Sequence, residues 1–312
     1  MTERKMAVIG AGLIGRAWAI VFARAGWTVL VYDPSMGQLE GLHAALAEDA
    51  ALLARHGLSA DGLQDRVVAF PDLGAALAGV ELVQENGPET LEVKQAIYAD
   101  LDALAPAEAL LVSSTSALMP SLFTEGLAGR ARCLVGHPVN PPHLVPLVEL
   151  CGADWTAPEA LARAAENYSS VGQVPIRVKR EIDGFVLNRL QGALLAEAMR
   201  LLRDDVVSVE DLDKTVRDGL GLRWSFMGPM ETIELNAPGG ASDYFERYCR
   251  LYRDLADAPP GRAVFGPESV DAVLSRWPDK LTPEEIPAAT QRRNERLAAL
   301  AAHKAKSGKP DL

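Results

Sequence analysis

The chain opens with two short apolar runs that enclose a helical stretch. Residues 6–9 and 27–32 are apolar and contain β-branched side chains, which favours strands. Residues 13–25 carry apolar side chains at helical spacing, and Gly26 ends that stretch. The pattern predicts a strand, a helix and a second strand that form one βαβ unit.

The same alternation continues through the first 178 residues. Further strands are predicted at residues 67–70, 81–84, 109–112, 134–136, 147–150 and 175–178, and helices at 36–56, 73–78, 88–104 and 157–171. Strands that alternate with helices indicate an α/β domain with a mainly parallel sheet.

After residue 178 only helical periodicity remains. Helices are predicted at residues 185–203, 209–217 and 283–305, and a loop at residues 219–224. The first of these helices is so apolar that we expect it to be buried, against the first domain or a partner subunit. We therefore predict an α/β domain over residues 1–182 and an all-α domain over residues 183–312.

Composition and charge narrow the class of protein. The 312 residues include 31 basic and 42 acidic side chains, and the net charge of −11 argues against nucleic acid as a partner. No apolar run is long enough to span a membrane, and no signal peptide precedes the first strand. Cys133, Cys151 and Cys249 are scattered, so we expect a cytoplasmic protein without a disulfide framework or a metal site.

A glycine motif lies in the first strand–helix turn. Gly10 permits a tight turn, Gly12 lets the backbone approach a pyrophosphate, and Gly15 lets the helix pack close to the strand. The backbone N–H groups of Leu13 and Ile14, at the start of the helix, would face the phosphates.

An acid completes this motif. Asp33 ends the second predicted strand, where a carboxylate can bind the ribose of adenosine and would repel a 2′-phosphate. A glycine-rich turn without a ligand is the alternative, but the strand, the helix and the acid together favour a dinucleotide site. The motif predicts NAD rather than NADP as the cofactor.

Several polar residues follow strands at the edge where open α/β sheets bind ligands. Glu89 and Lys94 fall in the first turns of the helix predicted at residues 88–104, and spacing alone favours a helix-end charge for the first and a surface lysine for the second over ligand contacts. Four hydroxyl residues, 113–116, end in Ser116 and suit either loop capping or a binding site.

One histidine lies at a predicted strand end. His137 follows the strand at residues 134–136, and the Asn-Pro-Pro stretch that begins at Asn140 predicts a turn. If the next strand returns antiparallel, His137 lies opposite Glu149. A carboxylate there would orient the imidazole and favour its protonated form, as a general base requires. A structural histidine bonded to a backbone carbonyl is the alternative.

Two polar residues of the helical domain are further candidates. Asn188 lies in the first turns of the apolar helix, so it needs a hydrogen-bond partner within the protein or on a ligand. Arg223 lies in the predicted loop, where it is either solvated or grips a carboxylate through two N–H groups.

Motifs spread over most of the chain resemble one family. The stretches GAGLIGRAW, VYD, SSTS, GHPVNPP and DGFVLNRL occur in the order found in the 3-hydroxyacyl-CoA dehydrogenase superfamily. The longer stretches QENGPETLEVK, SSTSALMPS, GHPVNPPHLVPLVEL and GLGLRWSFMGPMET are similar to its lambda-crystallin branch, the L-gulonate 3-dehydrogenases. The resemblance runs from Lys5 to about Tyr248.

The resemblance implies a Rossmann-like NAD-binding domain and a helical domain through which the protein forms a homodimer. It also implies NAD-linked oxidation of a 3-hydroxyl. By this resemblance His137 matches the catalytic histidine and Glu149 its carboxylate partner, while Ser116 and Asn188 hold the substrate oxygen.

The resemblance also implies that Glu89, Lys94 and Asn140 lie near NAD, which replaces the surface interpretation of the first two.

Two departures from the acyl-CoA members concern the substrate. Residues 36–64 contain no lysine that could bind the phosphates of CoA. The acyl-CoA members have no residue equivalent to Arg223. Both departures favour a free hydroxy acid, with its carboxylate bound by Arg223.

These observations predict an NAD-dependent dehydrogenase of a small L-3-hydroxy acid, with L-gulonate as the best candidate. The first alternative is a short-chain 3-hydroxyacyl-CoA such as 3-hydroxybutyryl-CoA. A carnitine-type dehydrogenase fits less well, because no obvious aromatic box is present. A non-catalytic NAD(H)-binding structural or sensor protein is the alternative from another class.

Overall fold

The first unit of the chain is built on one eight-stranded sheet. In a computed structural model that describes residues 3–257 and 259–307, the strands lie in the order β3-β2-β1-β4-β5-β6-β7-β8. All neighbours pair parallel except β6 and β7, which are antiparallel. The strands are β1 (Lys5–Ile9), β2 (Thr28–Tyr32), β3 (Val67–Phe70), β4 (Leu82–Glu85), β5 (Leu110–Ser113), β6 (Cys133–Pro138), β7 (Leu147–Cys151) and β8 (Val174–Val178). Every predicted strand is present, and the α/β class is confirmed.

Seven α-helices and a 3₁₀ helix (Arg130–Arg132) connect these strands. The α-helices are α1 (Leu13–Arg24), α2 (Met36–Arg55), α3 (Leu63–Arg66), α4 (Leu73–Ala76), α5 (Leu91–Leu104), α6 (Pro120–Thr124) and α7 (Pro158–Ser170). The prediction that a helix starts at Pro88 is wrong, because α5 starts at Leu91. The carboxylate of Glu85 accepts a hydrogen bond from the Gly87 N–H at 2.6 Å, which holds the chain in a turn after β4.

The alternation of side chains along the strands builds a core on each face of the sheet. Met6 and Val8 belong to one buried cluster, while Ala7 and Ile9 belong to the other. Since successive strand residues point to opposite faces, the two clusters lie on opposite sides of β1. Trp18 of α1 packs in the first cluster and Tyr98 of α5 in the second, so helices cover both faces of the sheet.

The second unit is helical. Its elements are α8 (Leu187–Arg203), α9 (Val209–Lys214), a π-helix (Thr215–Leu220), α10 (Gly221–Trp224), α11 (Pro229–Leu235), α12 (Gly240–Ala256), a 3₁₀ helix (Arg262–Phe265) and α13 (Pro267–Ser275). The predicted loop at residues 219–224 is wrong, because the π-helix and α10 continue α9 without a break. Both glycines that suggested a loop, Gly219 and Gly221, lie within these helices.

The last helix returns to the first unit. The chain divides into residues up to Arg189 with Ala289–Lys306, and residues Leu190–Ala288, so most of α14 (Ile286–Ser307) belongs with the sheet. Ala298 of α14 is fully buried in the core cluster that contains Trp18. Glu295 binds Arg55 at 2.5 Å and His56 at 2.6 Å, at the end of α2. This division differs from the predicted domains of residues 1–182 and 183–312, which assigned the whole last helix to the helical domain.

The apolar helix α8 is exposed along much of its length. Leu190 is 64% exposed in the single chain, and Leu194 and Leu195 are also exposed. Only Leu202 of this helix is buried. The single chain does not bury this face, so the expectation that the first domain or a partner subunit covers it stays a prediction.

Candidate active site

A cavity of about 680 Å³ opens where β1, β2 and β4 end. Gly10, Gly12 and Asp33 line it, together with Asn86 and Gly87 that follow β4. The carboxyl ends of parallel strands are the edge where open α/β sheets bind ligands. The cavity therefore lies where the glycine motif predicted a dinucleotide.

The glycines of the motif have distinct geometric roles. A Cβ on Gly15 would lie 1.8 Å from the Gly10 carbonyl oxygen, so α1 could not pack this close to the turn with any other residue there. A Cβ on Gly12 would meet no protein atom within 4 Å, so this position leaves space that a ligand can enter. No side chain caps α1 at Gly12, which leaves the helix N-terminus beside Leu13 and Ile14 for an anion.

Asp33 fixes the glycine turn. Its carboxylate accepts hydrogen bonds from the Ala11 N–H at 2.7 Å and from the Ser35 N–H at 2.8 Å. The same side chain lines the cavity at the end of β2. An uncapped helix, an open glycine and an acid around one cavity fit the phosphates and the adenosine ribose of a dinucleotide.

Lys94 is buried, contrary to the first interpretation from sequence. It is 1% exposed, and its Nζ donates to both carboxylate oxygens of Glu85 at 2.9 Å. Ser113 donates to the same carboxylate at 2.6 Å, so the ends of β4 and β5 are tied to α5. Ser113 was expected only as one of the four hydroxyl residues at 113–116, and the role of Glu85 was not predicted. A charged residue at the end of an otherwise apolar strand was the available signal for Glu85.

Glu89 lies before α5 rather than inside it. One carboxylate oxygen accepts hydrogen bonds from the Ser116 N–H at 2.7 Å, the Ala117 N–H at 3.1 Å and the Thr115 hydroxyl at 2.5 Å. The other oxygen lies 3.8 Å from Nζ of Lys94. Glu89 thus holds the hydroxyl-rich loop after β5, which the sequence alone left as either capping or binding chemistry.

Ser116 is held from both sides. Its N–H binds Glu89, and its carbonyl oxygen accepts a hydrogen bond from Nδ2 of Asn188 at 2.9 Å. Asn188 lies in the first turn of α8, in the part of that helix that belongs to the sheet unit. The structure therefore brings together these two candidates, which are 72 residues apart in the chain.

His137 and Glu149 form a buried pair. The β6–β7 register sets them directly opposite, which confirms the pairing predicted from the turn. Nδ1 of His137 lies 2.8 Å from Oε2 of Glu149, and both side chains are buried. Oε1 of Glu149 accepts hydrogen bonds from the N–H groups of Val186 and Leu187, at 2.9 Å each.

Burial raises the pKa of the Glu149 carboxyl, but hydrogen bonds from His137 and from the Leu187 and Val186 N–H groups outweigh burial and lower that pKa below its ordinary value. Glu149 is therefore ionised at neutral pH. An ionised carboxylate at Nδ1 fixes the ring so that Nε2 is the nitrogen available for proton transfer.

The remaining candidates are less constrained. Asn140 is exposed after β6 and is joined to Pro141 by a cis peptide bond. Arg223 is exposed in α10, within the helical unit. Burial raises the pKa of the Cys133 and Cys151 thiols to about 12, so neither is poised as a nucleophile.

The described part of the chain contains neither a cluster of metal ligands nor a helix suited to a bilayer. No group of three or more His, Cys, Asp or Glu side chains there could hold a metal ion. Over the same residues, no helix combines the length and apolarity that crossing a bilayer requires.

Comparison with known proteins now decides the family. The model of the 3-hydroxyacyl-CoA dehydrogenase NAD binding domain matches residues 5–182, and the model of the C-terminal domain matches residues 184–260. The chain belongs to the 3-hydroxyacyl-CoA dehydrogenase family. Its cofactor is NAD, and the protein is an oxidoreductase that acts on CH–OH groups.

Individual relatives span most of the chain. Lambda-crystallin of Oryctolagus cuniculus is 38% identical over 301 residues, 94% of each chain. L-carnitine dehydrogenase of a Pseudomonas species is 38% identical over 232 residues, 74% of this chain and 72% of the relative. Among solved structures, 5-formyl-3-hydroxy-2-methylpyridine 4-carboxylic acid 5-dehydrogenase, described as an NAD⁺-dependent dismutase, is 29% identical with a TM-score of 0.83, over 96% of this chain and 97% of that one.

Proposed function

We propose that the chain catalyses the NAD-dependent oxidation of the 3-hydroxyl of a small L-3-hydroxy acid, with L-gulonate as the first substrate to test. The observation that carries this proposal is the buried hydrogen bond of 2.8 Å between His137 and Glu149, at the end of β6. A histidine oriented by an ionised carboxylate is suited to remove a proton from an alcohol.

His137 acts as the general base. Bound NAD supplies the hydride acceptor. As the hydride leaves C3, the hydroxyl proton moves to Nε2 of His137, and the alcohol becomes a ketone. Glu149 stabilises the imidazolium that forms, because its negative charge lies against Nδ1.

Ser116 and Asn188 hold the reacting oxygen. The backbone of Ser116 is fixed by Glu89 on its N–H and by Asn188 on its carbonyl, which fixes the Cα from which its hydroxyl side chain extends. Asn188 uses one N–H of Nδ2 for Ser116, which leaves the second N–H of Nδ2 to donate a hydrogen bond to the substrate oxygen. Fixed polar groups at the reacting atom act without reorganisation in the transition state.

The charges around α2 support a free acid over a CoA ester. Residues 36–64 contain no lysine, and the arginine of that segment, Arg55, is bound to Glu295 at 2.5 Å. Phosphates of CoA would need cations in this region. The solved relative with the TM-score of 0.83 also acts on a carboxylic acid, as its description states.

We assign the substrate carboxylate to Arg223, which is exposed in α10. A guanidinium can bind a carboxylate through two parallel N–H groups. We expect Arg223→Ala to raise the KM for the acid about 10- to 100-fold with little change in kcat, because a hydrogen bond to a charged group contributes roughly 1.5–3 kcal/mol. Arg217→Ala, at an exposed arginine of the preceding π-helix, is the matched control and should leave KM unchanged.

Steady-state kinetics test the substrate class. NAD reduction is measured with L-gulonate and with L-carnitine, and NADH oxidation with acetoacetyl-CoA. A higher kcat/KM for gulonate supports the free-acid proposal. Faster turnover of L-carnitine, the substrate in the name of the Pseudomonas relative, would contradict the free-acid proposal with gulonate. Faster turnover of the CoA ester would contradict it as well. No turnover with any of the three while NADH still binds would favour a non-catalytic NAD(H)-binding protein.

We also propose a homodimer formed through the helical unit, in the cytoplasm. Leu251 and Leu255 of α12 are 53% and 59% exposed, and Leu190 of α8 is exposed as well. Apolar faces of this kind mark surfaces that another protein covers. The three cysteines are free, as expected in a reducing compartment.

A further inference from the structure

Phe185 has an unusual backbone conformation. Its φ is +49°, and among the non-glycine residues that the structure describes it shares a positive φ only with Asp205. Residues with a Cβ adopt this left-handed region at a steric cost. Gly184, the residue before it, has φ +74°, a value that glycine adopts freely. A glycine at position 185 would also fit the turn, so the phenylalanine side chain needs a separate reason.

The turn at Phe185 directs the start of α8. The Phe185 N–H donates to the Ile182 carbonyl oxygen at 3.1 Å, which closes the turn. The next two N–H groups, of Val186 and Leu187, converge on Oε1 of Glu149 at 2.9 Å each. With Oε1 occupied in this way, Oε2 is directed to His137. The backbone conformation of Phe185 therefore fixes one member of the buried pair.

The ring of Phe185 contacts the other member. Its centroid lies 5.6 Å from that of the His137 imidazole, at an angle of 36° between the planes. The side chain is fully buried, in the same cluster as Val135 and Cys151. A closely packed ring restricts rotation of the imidazole and keeps water away from it.

We propose that Phe185 is a positioning residue for the His137–Glu149 pair, through its ring on the imidazole and its left-handed backbone before the donors to Glu149. This inference rests on the proposed role of the pair in proton transfer. The need for both contacts from one residue explains why a phenylalanine occupies a position whose backbone suits glycine.

Alanine variants at two buried phenylalanines test the role of the ring. Phe123 is the matched control, because it lies in the same core cluster but packs on Tyr98, with ring centroids 4.7 Å apart. We expect Phe185→Ala to lower kcat about 10- to 100-fold, as misplaced catalytic groups do, with the KM for NAD unchanged. Phe123→Ala should lower the melting temperature but change kcat less than about twofold. Phe185→Gly, which tolerates the backbone, should be as slow as Phe185→Ala.

A double-mutant cycle separates positioning from general destabilisation. If Phe185 acts through the His137–Glu149 pair, removing its ring should change kcat little once that pair is broken. In a Glu149→Gln background we therefore expect Phe185→Ala to lower kcat by less than about threefold. Should Phe185→Ala fail to fold, Phe185→Leu retains apolar volume and takes its place in the cycle with the same expectation.

Each outcome decides between the two proposals. If the effects of Phe185→Ala and Glu149→Gln multiply, or if the Phe185 and Phe123 variants have equal kcat, the positioning role is wrong and the proposed function stands. If His137→Gln keeps wild-type turnover, the proposed function fails whatever Phe185 does.

Discussion

The sheet unit and the helical unit differ in how far they bury their apolar and charged side chains. The sheet unit encloses two apolar clusters, and its buried charges are paired: Lys94 with Glu85, and His137 with Glu149. Of the residues between Leu190 and Ala288 that the structure describes, none belongs to either cluster. Its helices carry exposed apolar side chains instead, such as Leu251 and Leu255 on α12.

The difference in burial suits the two units to different roles. A closed core can hold ionised groups at fixed distances, because packed side chains restrict them and hydrogen bonds offset their desolvation. An amphipathic helix with an open apolar face gains free energy only when something covers it. The comparison thus supports the two proposals made above, proton transfer in the sheet unit and assembly through the helical unit.

The largest effect is expected from the base itself. We expect His137→Gln to lower kcat/KM for the hydroxy acid roughly 10²- to 10⁴-fold, because that is the usual contribution of a general base. The affinity for NAD should change little, since the cofactor cavity is lined by other residues, but the melting temperature should fall because buried Glu149 loses a hydrogen-bond partner. Steady-state kinetics, NADH titration and thermal unfolding measure the three quantities. A loss of NAD affinity that matched the loss in rate would contradict the assignment.

The helical unit is tested by charging its apolar face. We expect Leu251→Glu with Leu255→Glu to weaken the dimer about 100-fold or more, because two carboxylates would be buried without partners. Sedimentation velocity over a range of concentrations measures the dissociation constant.

Leu104→Glu is the matched control for assembly. Leu104 is also 53% exposed but lies on α5 of the sheet unit. It should leave the oligomeric state unchanged. A monomeric wild-type protein, or a dimer broken equally by the control, would show that assembly does not depend on the helical unit.

The smallest effect concerns the ionisation of Glu149. Its pKa in the folded state lies below the ordinary value of 4.5, so the unfolded chain binds more protons between the two pKa values. The stability that ionised Glu149 provides is therefore complete above about pH 4.5 and is lost as the pH falls through the lower, folded-state pKa. We expect Glu149→Gln to lower the free energy of unfolding at pH 7 by roughly 1–3 kcal/mol, and this deficit to shrink in acid.

Urea denaturation from pH 7 to pH 3 measures this deficit. Glu92→Gln, at an exposed glutamate of α5, is the control and should follow the wild-type curve. A deficit of Glu149→Gln that grew as the pH fell would reverse the sign of the linkage and contradict an ionised Glu149.

Much of the fold follows from the sequence alone. The alternation of apolar runs and helical periods predicted every strand, because burial on a sheet leaves a local record in composition and spacing. The glycine motif with Asp33 predicted a cavity at the ends of the first strands for the same reason, since turn, helix start and acid lie within 24 residues. The antiparallel return after Asn140 put His137 opposite Glu149, because a short connection leaves few registers.

Contacts between segments that are distant in the sequence could be seen only in the tertiary structure. Lys94 is buried because Glu85 and Ser113 converge on it, and Ser116 is held by Glu89 and Asn188. Helical periodicity reports that a face is apolar but not what covers it. It therefore did not show that α14 packs in the core of the sheet unit, or that the apolar face of α8 is exposed. Those outcomes depend on which surfaces meet in space, which spacing along the chain does not encode.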